Sequence, residues 1–280
     1  MTPSAPARRG WIIDVDGCLV RAARYGGDGG QPIAGSAEFI ALLDRVGEPY
    51  VVCTNASGNP ANTYAAGLRA EGIPVDDAHF ETAGSMTADL IARRHPGETV
   101  AVVGSLAFAD TVRSYGVEVA VGERARSASV VAVGDAVEFR TADLDAAALA
   151  VDAGAAFYST VGQRWFHGGM QKGITSSALI AAGIAWTTGV QPEVTGKPSR
   201  ELGLALAARM GVAPEDVVVV GDALAEVELA RAIGGTSCLV LTGGVDRATA
   251  DALPAERRPD AVFEDIGGVL ARTRAELGDV

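Results

Sequence analysis

The residues of this chain best suited to chemistry begin with two acids one residue apart, Asp14 and Asp16, in the stretch "GWIIDVDGCLV" (10–20). Two carboxylates sharing a small volume are driven into different protonation states, because each negative charge raises the pKa of the other. Such a pair is a device for acid/base work. The same D-x-D-G spelling is also a turn signal, since Asp and Gly favour turns. Three further polar points carry the same ambiguity. Thr54 and Asn55 could cap a helix. Lys197 before Pro198 could be a solvated loop lysine. Asp222 in "GD" (221–222) could mark a strand-to-helix turn.

The elements that must position these residues decide between the readings. Short apolar runs at 11–15, 50–54, 99–104, 129–134, 155–160, 217–221 and 236–241 read as strands. Between them lie helical patterns at 36–47, 60–72, 141–154 and 198–211, several closed by the Gly that commonly stops a helix. Strand–helix alternation with fully apolar strands predicts an α/β fold, a doubly wound parallel sheet covered on both faces. Such sheets bind ligands beyond the carboxyl ends of their strands. Asp14 and Asp16, Thr54 and Asn55, and Asp222 all fall at such ends, and Lys197 falls in a loop just before a helix.

The bulk of the sequence narrows the function classes. A chain of 280 residues can bury a substantial core in one large domain or two smaller ones. A net charge of −12 argues against binding nucleic acid or an anionic membrane surface. Three cysteines, Cys18, Cys53 and Cys238, form no CxxC pair, which suits a reducing, cytoplasmic setting. The apolar run after the N-terminal arginines breaks at Asp14, too soon for a signal peptide. The uncharged stretch 174–190 is shorter than a membrane span and is expected to be a buried helix.

Taken together, the motifs resemble the haloacid dehalogenase (HAD) superfamily of aspartate-dependent phosphatases. Asp14-Val15-Asp16-Gly17 matches its first motif, Thr54 its second, Lys197 its third, and Asp222 the acidic fourth. The resemblance implies a Mg²⁺-dependent hydrolysis of phosphate monoesters, with Asp14 as nucleophile, Asp16 as acid/base and Lys197 cancelling phosphate charge. Thr54, Asn55 and Gly17 are the implied phosphate-binding positions. The implied metal ligands are Asp14, Asp16 through its carbonyl, and Asp222. At the second acidic position of the fourth motif this chain departs, with Glu226 four residues on and Val227 five; Glu226 is the expected replacement ligand, the alternative being that Glu226, like Glu228, is a surface helix residue and metal affinity is weakened.

The long gap between Thr54 and Lys197 leaves room for an inserted domain. The resemblance implies the large α/β cap of the NagD-type and 4-nitrophenylphosphatase-like branch, at 82–190, with 1–81 and 191–280 forming the core. Caps of this kind choose the substrate and can contribute to a homodimer. Gln163, Arg164 and Asp135 are polar loop residues that could face the site, and His167 carries no expected role. The expected substrate is a small phosphorylated metabolite. A silenced member that binds a phosphorylated ligand without turnover is the second reading, motivated by Val227. A dinucleotide-binding domain is set aside, because no G-x-G-x-x-G follows the first strand.

Overall fold

The computed structural model describes residues 9–27 and 30–277. The chain opens with β1 (Gly10–Ile13), an antiparallel pair β2 (Val20–Arg21) and β3 (Gln31–Pro32), then α1 (Ser36–Val46), β4 (Tyr50–Thr54), α2 (Ala61–Ala70) and β5 (Phe80–Thr82). Next come α3 (Ala83–Arg94), β6 (Thr99–Val103), α4 (Leu106–Ser114), β7 (Glu118–Ala120), β8 (Val130–Val133), α5 (Thr141–Asp152) and β9 (Ala156–Ser159). A hairpin of β10 (Trp165–His167) and β11 (Lys172–Ile174) leads to α6 (Ser176–Thr188) and β12 (Glu193–Val194). The last stretch holds α7 (Arg200–Met210), β13 (Val217–Gly221), α8 (Leu224–Ile233), β14 (Thr236–Val240), α9 (Arg247–Asp251), β15 (Ala261–Phe263) and α10 (Ile266–Leu277).

Apart from the two antiparallel pairs, these strands form two parallel sheets. The first has the order β15-β14-β13-β1-β4-β5, so β1 lies between the two strands that carry Thr54 and Asp222 at their ends. Ile13 pairs with Val220 on one side and with Val52 on the other, which brings the carboxyl ends of β1, β4 and β13 to one level. Side chains alternate between two cores. Trp11, Ile13, Tyr50 and Val52 pack with residues of α1 and α10, while Ile12, Val51 and Cys53 pack with residues of α7 and α8. Burial on both faces explains why these strands read as unbroken apolar runs.

The second sheet has the order β12-β9-β8-β6-β7. It includes Glu193–Val194, just past the expected boundary at 190, because β12 pairs with β9. The chain returns to the first sheet's level directly through Gly196 and Lys197, whose neighbouring amides bond to Thr160 O and Asn55 Oδ1. The stretch 174–190 forms α6, but only one face is buried, through Ser177, Ala181, Ile184 and Ala185. Leu179 and Trp186 stand in solvent, so the expected buried helix is apolar all round and covered on one side. Among the described residues no helix is long and apolar enough to cross a membrane.

Candidate active site

β1 stops where its side chains turn polar. The Asp14 amide still bonds to Val220 O at 2.9 Å, which extends the ladder by one residue and fixes the carboxylate at the sheet's edge. The chain then folds into a tight loop, with the amides of Cys18, Leu19 and Val20 all bonding to Val15 O. Gly17 makes the loop possible with φ +80°, and a Cβ there would stand 2.5 Å from Asp222 Oδ2. A Cβ at Gly243 would overlap the same carboxylate from the other side. Asp222 is thus seated between two glycines, and the Gly244 amide donates to its Oδ2.

Lys197 is 1% exposed, and its ammonium has three donors for three acceptors. Nζ meets Asp14 Oδ1, Cys53 O at 2.9 Å and Glu226 Oε1 at 2.9 Å. Asn55 holds the backbone of the same lysine: its Oδ1 accepts from the Lys197 amide at 2.8 Å and its Nδ2 donates to Lys197 O at 3.2 Å. Gln163 Nε2 also donates to Lys197 O at 2.9 Å, and Asn55 Nδ2 reaches Gln163 Oε1 at 3.3 Å. Asp16 Oδ2 accepts from the Gly26 amide at 2.8 Å and from Thr54 Oγ1 at 3.2 Å. Thr54 Oγ1 in turn accepts from the Ala56 amide at 3.2 Å.

Glu226 occupies a place the sequence does not reveal. It was expected among the metal ligands, yet its Oε1 faces Lys197 and its Oε2 accepts from the Ala223 amide at 3.2 Å, capping α8. Both oxygens are therefore engaged by protein. Val227, one residue on, is buried with Leu239, Val245 and Ala250 and points away from the acids.

Electrostatics follow from this burial. Desolvation pushes the Asp14 carboxyl up to about 7 against the pull of Lys197, with Glu226 and Asp16 adding to the rise. Asp222 is raised well above the usual carboxylate range by burial, then by Asp14 and Glu226. Burial alone would lower Lys197, but Asp14 and Glu226 carry it well above its ordinary value. One ammonium serves four buried acids, an arrangement short of positive charge.

Asp14, Asp16, Asn55, Lys197, Asp222 and Glu226 line one cavity of about 430 Å³. Gln163 lines it as well, and so does His167, for which the sequence supplied no role. Asp135 lies outside this lining and accepts from Ser57 Oγ and Ser176 Oγ, each at 3.1 Å, while Arg164 is exposed. Among the described residues no three or more acids, histidines or cysteines gather into a ready metal cage.

A family model for haloacid dehalogenase-like hydrolases matches residues 11–118, and a second, HAD-hydrolase-like, matches 194–269. The sugar-phosphatase AraL of Bacillus subtilis is 27% identical over 273 residues, covering 96% of this chain and 93% of that protein. The ribonucleotide monophosphatase NagD of Escherichia coli is 28% identical over 235 residues, 84% of this chain and 87% of its own. The NagD structure superposes with a TM-score of 0.80 at 26% identity, covering 93% of this chain and 97% of that one. A glycerol phosphate phosphatase of Mycobacterium tuberculosis, solved in complex with magnesium, gives a TM-score of 0.81 at 27% identity, covering 93% of this chain and 76% of its own. With the strand-end acids and buried lysine already in place, these matches mean that the chain belongs to the haloacid dehalogenase-like hydrolases and is a NagD-like phosphatase of that family.

Proposed function

We propose that this phosphatase hydrolyses a small phosphorylated metabolite, a sugar phosphate or a nucleotide, through an aspartyl-phosphate formed on Asp14. A carboxylate oxygen of Asp14 attacks phosphorus, the P–O bond to the leaving group breaks, and Asp16 gives its proton to the departing oxygen. Asp16 then takes a proton from water, whose oxygen attacks the same phosphorus. The Asp14–phosphorus link breaks and inorganic phosphate leaves. Lys197 offsets charge on the transferring group, and the second sheet with its hairpin acts as the cap over the cavity.

The observation that carries this reading is the buried Asp14–Lys197 pair at the carboxyl end of the central strand, one residue from Asp16. The substrate class rests on the AraL and NagD likeness.

The residues fit a hard divalent cation. Asp14 and Asp222 are oxygen donors, both are raised in pKa by burial and by neighbouring acids, and the glycines at 17 and 243 leave Asp222 a seat without side-chain crowding. Mg²⁺ needs only one or two carboxylates besides water and substrate phosphate, so a closed cage of acids is unnecessary. Asp14, Asp222 and the Asp16 carbonyl are the groups that would hold it, and it would supply, beside Lys197, positive charge to offset the clustered carboxylates and the substrate phosphate. Glu226 is better read as a partner that orients Lys197.

The test is release of 4-nitrophenol from 4-nitrophenyl phosphate. Turnover that requires Mg²⁺, stops on chelation and falls by roughly 10³-fold or more in Asp14→Asn supports the reading. Undiminished turnover in Asp14→Asn would reject Asp14 as nucleophile.

A further inference from the structure

The sequence contains twenty-one arginines but just two lysines, Lys172 and Lys197. Both line the same cavity. Lys197 is consumed at its floor by Asp14 and Glu226. Lys172 sits on β11 at the cavity wall, exposed, and among the described residues it makes no ion pair.

The hairpin that carries Lys172 is fixed to the site. One face rests on the loop that also holds Asp16: Phe166 packs on Tyr25 with ring centroids 4.2 Å apart, both rings lining the cavity, and Gly168 O accepts from the Ala22 amide at 2.7 Å. Tyr25 Oη and Thr175 Oγ1 lie 3.0 Å apart and fasten the hairpin's end. Phe166 is buried against Tyr25, and strand alternation turns Trp165 and His167 to the other face of the hairpin, where they still border the cavity. His167 pairs directly across from Lys172, so both share that face. The Lys172 ammonium lies 4.2 Å from the centroid of the Trp165 ring, on the diagonal of the pair. Trp165 is 54% exposed, so the ring that carries this ammonium is open to a ligand.

We propose that Lys172, steadied on Trp165 and flanked by His167, is the leaving-group subsite, and that it selects phosphate monoesters whose leaving group carries a second anionic group. The physical argument is charge. The floor of the cavity is dominated by carboxylates in a chain of net charge −12, so a doubly anionic substrate is repelled unless a cation at the wall receives its second charge. Lys172 is the lysine available for that purpose. Its cation–π seat holds the ammonium in place without neutralising it. The inference rests on the phosphatase reading of this cavity and narrows it to those sugar phosphates and nucleotides whose leaving group bears a further phosphate or carboxylate.

Phenyl phosphate and 4-carboxyphenyl phosphate make the test, since they differ by one carboxylate remote from the reacting bond. The wild-type protein is expected to favour the carboxylated ester in kcat/KM by about tenfold, mostly through KM, with the preference shrinking as salt rises. In Lys172→Met the ratio falls to about one, and Lys172→Arg restores most of it. A wild-type ratio near one, or a ratio unchanged in Lys172→Met, overturns the proposal. Calorimetric binding of the same two esters to Asp14→Asn separates it from the catalytic reading. Lys172-dependent preference in binding supports the subsite even where turnover is unaffected by the Asp14 change. Equal binding of both esters, with turnover lost, rejects the subsite and leaves the Asp14 assignment standing.

Discussion

Glu226 shows how one side chain redistributes charge in this site. Its neighbourhood makes it a partner of Lys197 and a cap of α8, and Gly221 is required beside it, because a Cβ at 221 would stand 2.8 Å from Glu226 Cδ. Glu226→Gln keeps the length and the contact with the Ala223 amide but removes the charge facing Lys197. The expected outcome is a fall in kcat of about tenfold, with the Mg²⁺ concentration for half-maximal rate unchanged, measured by metal titration at saturating ester. A rise in that concentration would return Glu226 to the metal ligands. Nothing local in "GDALAEVELA" reveals this role, since it depends on a lysine 29 positions upstream. Asp14, Asp16, Lys197 and Asp222 were legible because each falls at a strand end or loop in a fixed order. The engagement of Asn55 with the Lys197 backbone was not legible, since only the fold brings the two loops together.

At the scale of elements, the central strands announce themselves and the edges do not. β1, β4 and β13 are buried on both faces and read as apolar runs, whereas β5 and β15 are three residues long and lie at the rims of the sheet. The β10–β11 hairpin is equally short and half exposed, so its pattern is lost among polar loop residues. Beside the β14–β15 ladder sits a side-chain clasp: Asp260 Oδ2 accepts from the Ser237 amide at 2.8 Å and from Ser237 Oγ at 2.7 Å. Modest burial acts to raise the Asp260 carboxyl, but these bonds and Arg231 hold it below its ordinary 3.8. A carboxyl lowered on folding stabilises the native state above its unfolded pKa, and that stabilisation is lost as pH falls through the folded value. Ser237→Ala is therefore expected to cost about 1 kcal/mol at pH 7, read as a lower melting temperature, with the gap from wild type narrowing below pH 3.8. A gap of constant size from pH 7 to pH 2 would mean that the serine acts independently of the Asp260 charge, through packing or its bond from the Asp260 amide at 3.0 Å.

Across the whole molecule, the two sheets are joined by polar contacts near the cavity. Ser57 Oγ donates to Asp135 Oδ2 and lies 3.1 Å from Thr160 Oγ1, while Asp135 Oδ1 accepts from Ser176 Oγ. Asp135→Ala removes the centre of this junction. It is expected to speed amide exchange at the start of α6 and to lower kcat/KM several-fold while leaving the first sheet's protection intact. Equal loss of protection in both sheets would show that the junction is a folding requirement instead. The scarcity of lysine has a practical consequence for labelling. An amine-selective acylating dye meets only two lysine side chains, and Lys197 is sealed from solvent. Among side-chain amines the reagent therefore acts on Lys172 at the cavity wall, so acylation removes the charge at that one position while Lys197 stays intact, a chemical deletion that needs no substitution.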